Sequence, residues 1–409
     1  MREIKNINSI VFSGNKDQIL TYIDYDGIIN ENSINDYVIN TVNNFNILKK
    51  KIIMENKKYY FSDIDNFNIK DYYKIKYIDH AKFDKCINRL LNKSFVTEAR
   101  WFFYFCIDKK NGKSRVYFKI SHAYADGYKI IEILTTKNLT ENLNKSTKRT
   151  TIYSRIYHIF IGTIILLLSN LYLFFKSIWS YFSCKSIQPN SQFNKEQNKE
   201  QKEKTQYLKV QPLNIYKIKT FCKRNNVSVN DFLYTLMIRS HSLYTNKKTN
   251  ITTASPINVS KNKYENNMCS LLLDIDNRLD TKILLHNVAS KFNHCKYSLF
   301  IPIISYIQDT ISNICNCSTL SYIYENIMKN SCDMIYSNII GPSPEDTDKF
   351  GIGCATNIHF VLNSPGITYN IISYDDHINI TISFKTGNIL NKRHYKNCVF
   401  DAYNEILCS

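Results

Sequence analysis

The chain has 409 residues, 44% hydrophobic and 22% charged, with only 10 Gly and 7 Pro. That excludes a small stapled scaffold and a largely disordered chain, and leaves room for two or three domains. A formal charge of +18 suits an anionic partner, nucleic acid or an acidic membrane surface, but the lysines are spread over both halves rather than gathered on one helix, so nucleic acid is not expected and a solvated, Lys-biased surface is the plainer reading.

In the first half, Trp101 to Asp108 (WFFYFCID) and Arg115 to Ser121 (RVYFKIS) are aromatic and β-branched runs joined across Asn111-Gly112, which predicts a β-hairpin. Ser121-His122-Ala123-Tyr124-Ala125-Asp126-Gly127 follows, then a helical pattern over Tyr128 to Leu134. A histidine at a strand end, with Asp four residues on and Gly next, holds an imidazole at a cleft while the carboxylate anchors the loop that aims it. The same residues fit a loop histidine followed by a helix-capping Asp126. Gly127 permits a positive φ or a close approach that a side chain would block.

The one long apolar run is Ile159 to Phe175, flanked by Arg149, Arg155, Lys176 and Lys185. Seventeen residues make a helix of about 25 Å, short of a hydrocarbon core of about 30 Å. With Trp179 and Tyr181 beyond it, the segment around 159–182 reads as an interfacial anchor, with a single span or a buried helix as alternatives. Lys185 to Gln206 is then rich in Lys, Glu, Gln and Asn, the composition of a solvated linker. The expected organisation is a first half over 1–150, an anchor and linker over 151–206, and a second half over 207–409.

The second half has helical patterning over Leu213 to Cys222 and Asp231 to Leu243. In Val227 to Leu233, Asn230-Asp231 heads an apolar helix, where Ser228 and Asp231 also suit a capping box. Ile367 to Tyr374 and Asn379 to Phe384 form a second hairpin candidate across Asp375-Asp376-His377. Mixed α and β in both halves predicts an α/β protein of two similar layers. Twelve cysteines contain no C-x-x-C pair, Cys315 and Cys317 being the nearest, and nine histidines show no H-E-x-x-H spacing, so no metal is expected. Met1 to Lys5 leads into no apolar stretch, so the thiols are expected reduced, on the cytoplasmic side.

Taken in order, these motifs resemble the wax ester synthase/diacylglycerol acyltransferase family within the CoA-dependent acyltransferase superfamily. Its histidine motif is matched by Ser121 to Gly127, its Asn-Asp motif by Val229 to Asp231, and its S-N-x-x-G-P loop by Ser337-Asn338-Ile339-Ile340-Gly341-Pro342. Ile371 to Phe384 looks like its terminal hairpin; Ala99-Arg100-Trp101 and Pro256-Ile257-Asn258 followed by Asn266-Asn267 are weaker echoes. The resemblance implies two chloramphenicol-acetyltransferase-like α/β halves with an active-site tunnel between them. It implies transfer of a fatty acyl group from acyl-CoA, as co-substrate and without other cofactor, to a long-chain alcohol or diacylglycerol. His122 would be the general base with Asp126 beside it, and Gly127, Asn230, Asp231, Ser337 and Asn338 would bind substrate or support the site. Two departures stand out: Ser121 replaces the first of the family's paired histidines, and no arginine near Ser260 and Lys261 matches the family's, so Asp126 lacks an expected partner. A catalytically silent lipid-binding relative and an acyltransferase with another acceptor are the alternatives.

Overall fold

The computed structural model describes residues 2–4, 18–135, 157–172, 204–246, 249–258, 268–317, 319–321, 332–363 and 366–409. Most of the charged linker and residues 173–182 of the expected anchor lie outside them, as do Ser260, Lys261, Asn266 and Asn267.

The first half contains β1 (Arg2–Glu3), β2 (Gln18–Asp26), α1 (Glu31–Asn44), β3 (Lys50–Glu55), β4 (Lys58–Asp63), β5 (Tyr73–Tyr77), α2 (Phe83–Asn92), β6 (Trp101–Asp108), β7 (Lys113–Ser121) and α3 (Gly127–Thr135). The first hairpin forms as its pattern predicts, with Trp101 opposite Ile120 and Asp108 opposite Lys113. Asp108 organises its turn by accepting the Lys110 and Asn111 N–H groups at 3.0 and 3.1 Å, and Gly112 supplies φ +63°. Trp101, Phe103, Phe105 and Phe118 bury one face of this hairpin, with Phe103 and Phe118 stacked at 4.4 Å.

Next comes α4 (157–172), which opens with a π-helical turn at His158–Gly162. Then follow β8 (Thr205–Lys209), β9 (Leu213–Asn214), α5 (Ile215–Arg224), α6 (Val229–Thr245), β10 (Asn250–Asn258), β11 (Met268–Asp276), α7 (Thr281–Tyr297), α8 (Phe300–Ile314), β12 (Met334–Ile340), β13 (Asn357–Leu362), β14 (Ile367–Tyr374), β15 (His377–Lys385) and α9 (Lys392–Cys408). The C-terminal hairpin also forms, turning at Asp375, whose φ is +53°. Leu213 and Asn214, expected to begin a helix, instead pair with β15; the helix starts at Ile215, capped by the Asn214 side chain on the Lys217 N–H.

Two mixed sheets result, of strand order β13-β2-β7-β6-β5 and β11-β10-β12-β14-β15-β8, with β9 added to β15 and a small β1-β4-β3 sheet beside them. Strand β13 leaves the second half of the chain and pairs along β2, from Asn357 opposite Asp24 to Leu362 opposite Ile19. The first sheet is therefore completed by the second half of the sequence. The core around Phe103 and Phe118 accordingly includes Ile339, Ile372 and Tyr374 from the second sheet.

No helix among the described residues is long and apolar enough to cross a membrane. Helix α4 buries Gly162, Thr163 and Leu166 against α7, β11 and the start of α8: Gly162 abuts the His294 ring, the Thr163 hydroxyl accepts the Leu299 N–H at 2.9 Å, and the Asn170 side chain accepts the Leu272 N–H at 3.3 Å. Its opposite face leaves Phe160, Ile164, Leu168 and Tyr172 in solvent. The cysteines among the described residues are free thiols.

Candidate active site

His122 stands one residue past the end of β7. The chain turns sharply there: the Tyr124 N–H bonds the Ser121 carbonyl at 3.0 Å, and the Ser121 hydroxyl accepts the Ala123 N–H at 3.4 Å. Ala123, Tyr124 and Ala125 are buried in the core that both sheets share, and the Tyr124 hydroxyl donates to the Lys50 carbonyl at 2.9 Å. Ser121 thus helps to form the turn that presents His122. Burial pushes the His122 imidazole down to about 4, against a weaker opposing hydrogen bond to its own main chain. The ring is neutral at pH 7 and able to accept a proton.

Asp126 finds its partner in the helix that follows. Its carboxylate accepts the Lys129 N–H at 2.8 Å and its carbonyl accepts the Ile130 N–H, so it is the N-cap of α3. Burial raises its pKa, opposed chiefly by the Lys129 hydrogen bond. The role this supports is geometric, that of a helix cap.

Gly127 permits the close approach of the two sheets. A Cβ there would overlap the Ile339 side chain of β12, coming within 3.0 Å of Cγ1. Burial raises the pKa of the neighbouring Tyr128 hydroxyl, opposed by the nearby Ile340 main chain at the end of β12.

Asn230 and Asp231 begin α6. The Ser228 hydroxyl accepts the Asp231 N–H at 3.1 Å and the Asp231 carboxylate accepts the Ser228 N–H at 2.8 Å, a complete capping box. The Asn230 side-chain oxygen accepts the Tyr336 hydroxyl at 2.9 Å and the Asn338 amide at 3.1 Å. Because side chains alternate along a strand, Tyr336 and Asn338 face α6 while Ser337 and Ile339 face the opposite way, toward α3. Strand β12 thus meets Asn230 on one face and Gly127 on the other, directing Ser337 and Asn338 to different sides. Tyr128 and Tyr336 escaped the sequence reading, although each adjoins a motif and Tyr336 shares the face of Asn338 by simple alternation.

A third polar cluster joins the sheets where β13 crosses. His359 of β13 is fully buried, stacks on Tyr22 of β2 at 5.0 Å and lies 3.2 Å from the Thr381 hydroxyl of β15. Burial drives its pKa well below the ordinary value, helped by nearby Lys209 and Arg115. Arg115 is bound by Asp24 and by Asp84 at 2.6 Å.

Among the described residues the one grouping with metal-ligand spacing is Asp79, His80 and Asp108. Asp108 there is occupied by the β6–β7 turn and by the His80 N–H at 2.8 Å. Two cavities are evident, of about 300 Å3 beneath α4 and about 390 Å3 on the first sheet, and His122 lines neither.

Two mixed sheets joined by a crossing strand, with a buried histidine at a strand end where they meet, define the chloramphenicol-acetyltransferase-like class of fold. Solved structures bear this out. A wax ester synthase/diacylglycerol acyltransferase from Marinobacter aquaeolei VT8 is similar over 96% of this chain and 95% of that one, with 9% identity and a TM-score of 0.58. A trichothecene 15-O-acetyltransferase from Fusarium sporotrichioides is similar over 98% and 94%, with 9% identity and a TM-score of 0.66. Polyketide synthase associated protein 5 from Mycobacterium tuberculosis is similar over 100% and 98%, with 11% identity and a TM-score of 0.56. No curated protein matches the chain by sequence. At the level of family, residues 262–407 match the model described as the WS/DGAT C-terminal domain.

Proposed function

We propose that the protein transfers a fatty acyl group from acyl-CoA to the hydroxyl of a long-chain alcohol or diacylglycerol, with His122 as general base. The observation that carries this reading is the placement of His122 just past the end of β7, in a turn held by Ser121 and by the Asp126 cap and seated on the core that both sheets share. In the proposed step the imidazole takes the hydroxyl proton as the oxygen attacks the thioester carbonyl. A C–O bond forms, the tetrahedral oxyanion collapses with cleavage of the C–S bond, and the departing CoA thiolate recovers the proton from the imidazolium. The substrates would meet in a tunnel between the halves. Asn230, Asn338, Asp231 and Ser337 act as supports, the first two by tying the start of α6 to β12.

The reading includes peripheral association with a membrane. The outward face of α4 (Phe160, Ile164, Leu168) and that of the adjoining α8 (Tyr306, Ile311, Ile314) leave large apolar side chains in solvent. A chain of formal charge +18 adds attraction to anionic lipid. Vesicle flotation of the wild type and Leu168→Glu tests this arm.

The test of the chemistry is CoA thiol release from palmitoyl-CoA with hexadecanol, diacylglycerol or no acceptor, beside His122→Ala. Ester formed by the wild type and lost in the variant supports the proposal and ranks the acceptors. A folded, vesicle-bound protein without turnover refutes it in favour of a lipid-binding relative.

A further inference from the structure

The first sheet carries a groove in which four cations converge without a carboxylate. Lys74 of β5, Arg89 of α2, Lys93 just beyond α2 and Lys119 of β7 line the cavity of about 390 Å3, together with Phe95 and Tyr104. Among the described residues no Asp or Glu forms an ion pair with any of the four. Lys74, Arg89 and Lys93 are exposed, as cations ordinarily are. Lys119 is not: it is 4% exposed, its ammonium donates to the Lys93 carbonyl, and it lies 4.5 Å from the centre of the Phe95 ring.

Taking an ammonium out of water is costly unless an anion and further acceptors replace its hydration, and buried lysines are ordinarily paired for that reason. One carbonyl and one aromatic face satisfy Lys119 only in part. Its burial, with Lys93 adding to the effect, pushes the amine down to about 8, so it still carries its charge at pH 7. Arg89 has a similar surplus: its guanidinium lies over the Tyr104 ring at 5.6 Å and donates to that hydroxyl at 2.9 Å, which leaves most of its donors directed elsewhere. The remaining wall is apolar, formed by Leu90, Phe102 and Val96, the last 80% exposed on the loop after α2. An isolated phosphate ion would use the cations and leave this wall wet, whereas a neutral lipid would cover the wall and ignore the charge.

We infer that the groove is a binding site for an amphipathic anion, with a carboxylate or phosphate head held by Lys119 and the rim cations and an apolar body lying along Phe95, Leu90 and Val96. The site has its own lining, which does not include His122, and it stands whether or not the acyl-transfer reading holds.

Calorimetric titration of the full chain with dodecanoate, dodecyl phosphate and the neutral dodecyl methyl ether, which offers no hydroxyl to the proposed acyl-transfer site, each below its micellar or solubility limit, tests the inference. At least one of the anions should bind tenfold or more tightly than the ether, and the tighter of the two identifies the head group. Lys119→Met should weaken anion binding at least tenfold and leave the ether unchanged, while His122→Ala leaves anion binding unchanged. The exposed double variant Arg89→Gln/Lys93→Gln should weaken the anions several-fold and so keeps the test valid if Lys119→Met is unstable. Equal binding of the ether and the anions overturns the inference. So does anion binding indifferent to both the Lys119 and the rim substitutions, or abolished by His122→Ala.

Discussion

Replacing Gly127 by alanine probes how the histidine loop is seated across the two sheets. The added methyl would overlap Ile339 Cδ1 and sit 3.0 Å from Cγ1, where unstrained carbon contacts lie at about 3.5–4.0 Å. Ile339 is 5% exposed within the shared core, so it cannot swing aside into solvent. Forcing a methyl into such a site costs about 1–3 kcal/mol, against which alanine regains roughly 0.5–1 kcal/mol of backbone entropy. Gly127→Ala should therefore lower stability in urea unfolding by up to about 2 kcal/mol. Ile339→Val removes the overlapping Cδ1 and alone costs about 0.5–1.5 kcal/mol. Combined with Gly127→Ala it should cost little beyond the first change, a coupling of about 1 kcal/mol between residues far apart in sequence. The rescue is partial, because Cγ1 remains. If Gly127→Ala matches the wild type, or if the two costs simply add, the close approach does not constrain the loop.

Gly341→Ala should be worse and beyond rescue, since its Cβ would overlap the Ser373 carbonyl oxygen, a backbone atom that no side-chain change removes; soluble yield and unfolding midpoint report it. His122 titrates near 4 when folded and near 6.5 when unfolded, so the unfolded chain binds more protons between those values. Stability should consequently fall as pH drops from about 6.5 to about 4, by roughly 3 kcal/mol from this residue, and the slope should flatten in His122→Asn. For the same reason the acid limb of kcat/KM should lie well below pH 6. Asn230→Ala removes the acceptor of the Asn338 amide and leaves the Tyr336 hydroxyl only the longer bond to the Asn230 carbonyl at 3.4 Å, and should cost about 1–3 kcal/mol, whereas Asn230→Asp keeps the acceptor and should be milder; thermal unfolding of the two variants separates them.

The hairpins at Trp101–Ser121 and Ile367–Lys385 were legible because alternation and turn chemistry are local properties, carried here by Gly112 and Asp375 at positive φ. The caps were legible on the same grounds: Ser228 with Asp231 reads as a capping box and is one. What local pattern cannot carry is sheet membership. Asn357–Leu362 is a short strand whose partner, β2, lies more than three hundred residues away, and nothing in NIHFVL distinguishes joining the first sheet from joining the second. The apolar run shows the complementary limit. Its composition announced a helix seeking an apolar environment, but which face meets protein depended on Gly162 and Thr163, small residues that let α7 and α8 approach. The Lys129 N–H that Asp126 accepts lies only three residues on, a main-chain partner that side-chain pattern alone does not reveal.

The crossing of β13 also bears on how the site works. A histidine on a loop after β7 would move with its own half if each half closed its own sheet. Here β2 lies between β7 and β13, so the strand that carries His122 and a strand from the far half share one neighbour. The loop is then fixed a second time by the close approach of Gly127 to Ile339. Opening the seam by hinge motion would require breaking strand pairing as well as side-chain packing. Changes in β12, although distant in sequence, should be felt at His122 as changes in its position.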